Sequence, residues 1–313
     1  MLAARSGVQL SDRQRLSWLR LIRSENVGPA TFRALVNQFG GAEAALDALP
    51  ALSRRGGRAS IRVFTEAEAG AELEAADRAG ASLVVMGEKG YPPALSHVDA
   101  PPPLLYAKGR LDLADAPIVA MVGARNGSAV GQKLTRQLAT ELGLEGFVIA
   151  SGLARGIDTA AHLAALERGT IAVLAGGIDI VYPPENTDLQ HAIGEQGLLQ
   201  VFAVPGSPLD PRSAGTNNLL KQGACLVTSA RDIVEALAPI LGRPVEPFDP
   251  ELSAPEEGVS PEPLPDIAQS ERERIIGALG PSPVDIDEVA RATGIAVRKM
   301  HIVLLELDLA VKL

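Results

Sequence analysis

Two strand–loop–helix units in direct succession, over residues 118–176, constrain this chain more than any other feature in it. The first runs Ile118–Val122, then Gly123-Ala124-Arg125-Asn126-Gly127-Ser128, then a helical pattern from Ala129 to about Leu142. The second runs Phe147–Ser151, then Gly152-Leu153-Ala154-Arg155-Gly156-Ile157-Asp158, then a helical pattern to about Arg168. A third apolar run, Ile171–Ala175, leads into Gly176-Gly177. Short apolar runs alternating with helical patterns predict parallel strands buried on both faces, hence an α/β sheet. The glycines fall at the carboxyl ends of the strands, where open α/β sheets bind ligands.

The 313 residues suffice for two domains, or three if the ends are small. No run approaches the roughly 18 apolar residues of a membrane span, and the start lacks a signal peptide's apolar core. The single cysteine, Cys225, leaves no internal disulfide and no cysteine pair for zinc. These features predict a cytoplasmic protein with no membrane partner. A net charge of −9 excludes a protein coated in basic surface but not a local basic groove.

Outside the central units, Trp18, Leu19, Ile22 and Val27, then Phe32, Leu35, Val36 and Phe39, recur at helical spacing in a small N-terminal module. The turn Asn26-Val27-Gly28-Pro29 between them reads either as a helix-hairpin-helix or sterile-alpha-motif-like unit, whose helix-start amides hold a phosphate, or as a simple packing corner. Residues 53–60 read as a basic, solvated connector. Residues 66–79 form a helix and Ser82–Met86 a strand, and the prolines of 92–93 and 101–103 make stiff chain that delivers the sheet's first core strand. Leu198–Pro205 reads as a long strand, Ala224–Thr228 as another, and Ala230 to about Leu241 as a closing helix. Prolines 244, 247, 250, 255, 261, 263 and 265 mark a linker. Three helices follow, with Gly294 in the turn before the third, in the winged-helix pattern. The domains are therefore 1–65 (helical), 66–241 (α/β), 242–265 (linker) and 266–313 (winged-helix-like, with an incomplete wing). The third helix carries Arg298, Lys299 and His301 but also Glu306 and Asp308, which suits protein contact at least as well as DNA reading.

The first loop is neither a dinucleotide fingerprint nor a P-loop: Gly123 to Gly131 does not fit G-x-G-x-x-G, and no Gly-Lys-Ser/Thr follows. It offers helix-start amides plus Arg125, a fixed positive fork suited to phosphate. The second loop repeats the device with Ser151, Gly152, Arg155 and Gly156; Asp158 is placed to cap the next helix, and Arg155 reads equally as a phosphate ligand or as a surface residue pairing with a neighbouring acid. Two such loops side by side point to nucleotide phosphates or a polyanion. His97, His162, His191 and His301 lack nucleophile or metal-ligand spacing, so neither a catalytic nor a metal site is expected.

Val122-Gly123-Ala124-Arg125, the block Ser151–Leu163, Val181-Tyr182-Pro183-Pro184-Glu185-Asn186, Val204-Pro205-Gly206 and Ser213–Leu219 with Gly223-Ala224 resemble the DprA/Smf family over nearly the whole chain. The resemblance implies an extended Rossmann-like domain flanked by a small helical N-terminal domain and a winged-helix-like C-terminal domain. It implies single-stranded DNA binding in natural transformation, homodimerisation and loading of the RecA recombinase, without a cofactor and without enzymatic activity. Carried over by position, Arg125 occupies the family's DNA-contacting arginine, and Ser151, Gly152, Arg155 and Gly156 occupy its second loop; with Gly123 and Asn126 of the first loop they are the expected DNA- and phosphate-binding residues. Two departures stand out. Ala124 replaces the family's serine, removing a hydroxyl. The family also carries a long segment, with basic and aromatic DNA-binding groups and part of the dimer surface, between strands that here fuse as Leu198–Val204. A parallel crossover requires roughly a dozen residues, so Gln200–Val201 is expected to mark missing chain rather than a natural deletion, which would expose large apolar faces.

Two other readings compete. A nucleoside-monophosphate phosphoribohydrolase of the lysine-decarboxylase-like family shares the fold type but requires Pro-Gly-Gly-x-Gly-Thr-x-x-Glu. Here Pro205-Gly206 and Gly215-Thr216 are too far apart and the glutamate is absent. A non-catalytic interaction scaffold with a vestigial nucleotide fold is the third.

Overall fold

The computed structural model describes residues 10–98, 100–202, 229–231, 233–234, 265, 267–279 and 285–310. The chain divides into two compact units, residues 1–7 with 72–249 and residues 8–71 with 250–313. The described helices of the first half are α1 (Asp12–Arg23), α2 (Pro29–Phe39), α3 (Ala42–Arg55) and α4 (Glu66–Arg78). In the α/β region lie α5 (Ala129–Leu144), α6 (Ile157–Ala165) and α7 (Thr187–Gln196), and at the end α8 (Gln269–Ala278), α9 (Ile286–Thr293) and α10 (Val297–Ala310). The strands are β1 (Ser82–Val85), β2 (Leu104–Gly109), β3 (Ile118–Ala120), β4 (Val148–Ser151), β5 (Thr170–Leu174) and β6 (Leu198–Phe202).

The sheet runs β1-β2-β6-β5-β4-β3. Its β3–β6 portion is parallel, with α5, α6 and α7 as the connections, matching the expected α/β core. The other portion differs from expectation. Leu104–Gly109 is itself a strand inside the sheet, antiparallel to both β1 and β6. Three prolines hold residues 101–103 extended, and Tyr91 donates its hydroxyl to the Pro102 carbonyl at 2.8 Å, so the chain enters β2 already aligned. On the parallel side, Leu142, Phe147, Ile149, Ala161 and Ala165 form one apolar cluster, which Ala230 of the expected closing helix joins. Leu153, Ala172, Leu174, Leu189 and Ile193 form another under α7.

Gln200 and Val201 sit in one strand whose ladder is unbroken on both sides. Gln200 pairs with Val173 and Ala107, and Val201 with Leu174 and Tyr106. The tail of the expected strand beyond Phe202, the strand at 224–228, the motif residues 204–206, 213–219 and 223–224, and nearly all of the proline-rich linker lie outside the described residues.

In the second unit, a capping box between Ser11 and Gln14 starts α1. Gly28-Pro29 starts α2, and Gly40 in the left-handed region ends it. Trp18 meets Phe32 edge-on at 5.0 Å between the two helices. The stretch expected to be a solvated connector is not one at its start. Ser53 to Arg55 complete α3, and Ser53 is fully buried.

Candidate functional site

Both anion loops leave the carboxyl ends of neighbouring strands. Ala120 of β3 pairs with Ala150 of β4, and the Met121 amide donates to the Ala150 carbonyl at 2.8 Å, so the loops start side by side. They then touch. Gly156 has φ +79°, and a Cβ there would lie 2.4 Å from the Ala124 carbonyl oxygen and 2.5 Å from that of Arg125. No side chain fits, and no larger residue adopts this φ readily. The Ile157 amide donates to the Ala124 carbonyl at 3.3 Å. The Ile157 side chain plugs the inside of the first loop, where a Cβ on Gly123 would meet it at 2.7 Å. The two loops therefore make one continuous surface.

Each loop is braced from within. Ser128 caps α5 by accepting from the Gly131 amide at 3.1 Å, and Gln132 Nε2 donates to the Gly127 carbonyl at 2.9 Å. In the second loop Leu153 is buried at φ +60°, a conformation uncommon outside glycine. Asn186, buried in the loop after β5, holds it there. Asn186 Nδ2 donates to the Leu153 carbonyl and to Thr159 Oγ1, both at 2.9 Å. Thr159 donates its hydroxyl to the Ala154 carbonyl at 2.8 Å. Asp158 does not cap α6, whose N-cap is Gly156. Its carboxylate lies inside the first turn and reaches back to accept from the Ala154 amide at 3.2 Å.

Of the seven residues singled out in the sequence, Gly123, Arg125, Asn126, Gly152 and Arg155 are exposed and Gly156 is half-buried at the loop contact. Ser151 is 4% exposed, and its hydroxyl donates to the Met121 carbonyl at 2.7 Å. It ties β4 to the first loop from beneath and has no proton left for a phosphate. Arg125 makes no ion pair with the described residues. Arg155 pairs with Glu185 at 2.6 Å, both side chains 59% exposed. Thus the Val181–Asn186 motif acts twice on the second loop: Asn186 holds its backbone and Glu185 faces its arginine. Sequence reasoning identified the motif but not this work, because Asn186 lies 33 residues from Leu153. Tyr182 of the same motif is 68% exposed.

His162, on the helix after the second loop, is a core residue. Its Nδ1 lies 2.7 Å from Thr170 Oγ1, whose proton goes to the Ile149 carbonyl. The Thr170 oxygen therefore accepts from Nδ1–H, and Nε2 has no partner. Burial pushes the imidazole down to about 4, partly opposed by the Ser151 carbonyl. His97, His191 and His301 are exposed.

Comparison with known proteins places the domains in order. Residues 82–200 match the family model for DNA recombination-mediator protein A. Residues 12–75 match the DprA-like N-terminal HHH domain, and residues 259–311 the DprA winged helix domain. The chain is 36% identical to DNA processing protein DprA of Streptococcus pneumoniae over 198 residues, covering 46% of this chain and 70% of that one. It is 26% identical to Protein Smf of Synechocystis sp. over 390 residues, covering 96% of each. An alignment of 390 positions against a chain of 313 leaves at least 77 positions with no counterpart here. The X-ray structure of DprA from S. pneumoniae superposes with TM-score 0.51 at 25% identity, over 73% of this chain and 98% of that one.

Two stability effects follow from the bracing. Asn186→Ala strands the Leu153 carbonyl in the interior and removes the donor to Thr159 Oγ1. We expect a loss of about 2–3 kcal/mol in urea unfolding, with the described fold otherwise retained. For His162, the folded group is held neutral while the unfolded one takes up a proton near pH 6.5. Stability is therefore full above pH 6.5 and is lost as pH falls towards about 4, by up to about 3 kcal/mol. Comparing urea midpoints of the native protein and His162→Gln across this range tests it, the variant lacking this part of the slope.

Proposed function

The chain belongs to the DprA/Smf family of DNA recombination mediators, and from that premise we propose that it holds single-stranded DNA along the fused loop surface of residues 123–128 and 151–156. The carrying observation is Arg125: an exposed guanidinium, unpaired among the described residues, on a loop whose backbone is locked against its neighbour. Around it lie the backbone of Gly123, Asn126, Gly152 and Gly156 and a second exposed guanidinium on Arg155. A planar, always-charged fork beside exposed amides suits consecutive phosphates, which are read without regard to sequence. Exposed Tyr182 offers a ring face for a base. Ser151 and Asn186 serve by positioning the loop.

Glu185 belongs to the same reading. Its exposed pair with Arg155 contributes at most about 1 kcal/mol, so a phosphate displaces it readily. Homodimerisation and loading of RecA complete the proposal and rest on family membership. So does a binding role rather than a catalytic one, with the protein acting in the cytoplasm. The family match ends at Gln200, and we place the family positions that this chain lacks at the Gln200–Val201 join.

Fluorescence titration with oligo-dT at several salt concentrations tests the site. Arg125→Ala is expected to weaken binding about tenfold and to flatten the salt dependence by about 0.7 in log–log slope for each phosphate no longer neutralised. Glu185→Gln is expected to tighten binding by roughly two- to fivefold. Arg125→Ala with unchanged affinity and slope removes the loop from the interface, and release of free base from AMP favours the phosphoribohydrolase reading instead.

A further inference from the structure

We infer that α10, the helix in the recognition position of the C-terminal module, is the docking helix for this chain's own N-terminal module and not a reader of DNA. Residues 10–71 and 267–310 then fold and open as one unit.

A helix that reads DNA lays an exposed polar face in the major groove. On α10, Met300, Ile302, Val303, Leu305, Glu306 and Leu309 are all buried. Arg298, His301 and Asp308 are the exposed positions among its charged and histidine side chains, and Lys299 is engaged with Glu271 at 2.8 Å. What covers the helix comes from the other end of the chain. Gly56, just past α3, has an ordinary negative φ, so no unusual backbone requires glycine there. Its reason is space: a Cβ would lie 2.1 Å from the Glu306 carbonyl oxygen and 2.8 Å from the carbonyl carbon. The two backbones are in direct contact.

Polar contacts converge on the same place. Glu306 is fully buried. Arg272 of α8 grips its carboxylate with both guanidinium nitrogens, one bond at 3.0 Å. Arg55 of α3 brings a third nitrogen to 3.9 Å of it. Arg272 also donates to the Arg55 carbonyl at 3.4 Å. A buried carboxylate is tolerated only when paired in this way. One turn beyond Glu306, the Leu309 carbonyl is one of the last-turn acceptors that a helix leaves open. Asn26, held at φ +60° in the α1–α2 turn, donates Nδ2 to it at 2.9 Å. Thus the turn read in the sequence as a phosphate-holding hairpin or a packing corner also caps α10. These contacts gather on the last two turns of α10, and together with its buried apolar face they commit the helix to one partner.

Hydrogen exchange on the full-length protein tests the inference. In the native protein, peptides covering 42–55 and 297–310 are expected to show matched protection, independent of protein concentration. Gly56→Ala is expected to speed both by the same factor, on the order of tenfold or more, with peptides of 148–174 unchanged. Gly70→Ala, whose Cβ meets open space, leaves both alone. Glu306→Gln serves where Gly56→Ala does not fold, and matched protection in the native protein is itself decisive. Unequal protection, loosening of one segment alone, or protection that rises with concentration overturns the intramolecular pairing. Added protection confined to 297–310 on mixing with a DNA duplex overturns the assignment of α10 as a docking helix.

Discussion

The backbone contact between Gly156 and the Ala124 and Arg125 carbonyls is what the rest of the α/β surface depends on. Two loops that leave adjacent parallel strands have no intrinsic reason to touch, since each is free to bend away over its own helix. A residue without a Cβ at φ +79° removes the steric barrier, and Ile157 then wedges under the first loop. Once the loops are pressed together, their inward-facing polar groups are satisfied within the protein. Ser151 faces Met121, Asp158 faces Ala154, and Asn186 faces Leu153. The guanidinium of Arg125 stays exposed, with no acid against it among the described residues. Rigidity and availability thus have one cause.

The acidic balance of the whole chain, −9, fits this arrangement. A surface with few local cations discriminates by where they stand. Arg125 meets no acid among the described residues, whereas Arg155 stands against Glu185. Both guanidinium groups keep their charge; that of Arg155 is partly offset by an exposed acid, and that of Arg125 is not.

Much of this was legible in the sequence wherever the determinant was local. The apolar runs of 118–122, 147–151 and 171–175 marked β3, β4 and β5, and the glycine clusters marked the loops. Ser128 and Gly294 marked a helix start and a helix stop. What escaped was set by residues far apart. Leu104–Gly109 carries no β-branched residue and follows three prolines, so its place inside the sheet comes from β1 and β6, not from propensity. In the sequence Glu306 is one of two acids on a helix with a cationic start. It is buried because Arg272, 34 residues away, and α3, at the other end of the chain, enclose it. Ser151 looked like a phosphate ligand by type and position, and only the carbonyl of Met121 beneath it shows otherwise.

Strand β6 shows what a β-ladder does and does not demand. A strand is accepted by its neighbours through backbone groups and a side-chain period of two, so chain from either side of a long omitted segment can complete one ladder if the parity holds. The entry to β6 is fixed from the near side. The Gly197 carbonyl accepts from the Arg110 amide at 2.8 Å, and Gly109 leaves no room for a Cβ against that carbonyl, which would lie 2.4 Å away. From there β6 runs parallel to β5 and antiparallel to β2, through the position where the family match stops. The loops before the join keep every brace described above, because Ser151, Asp158, Asn186 and Gly156 all precede Gln200. The fused loop surface is therefore built entirely from the part of the chain that matches the family model.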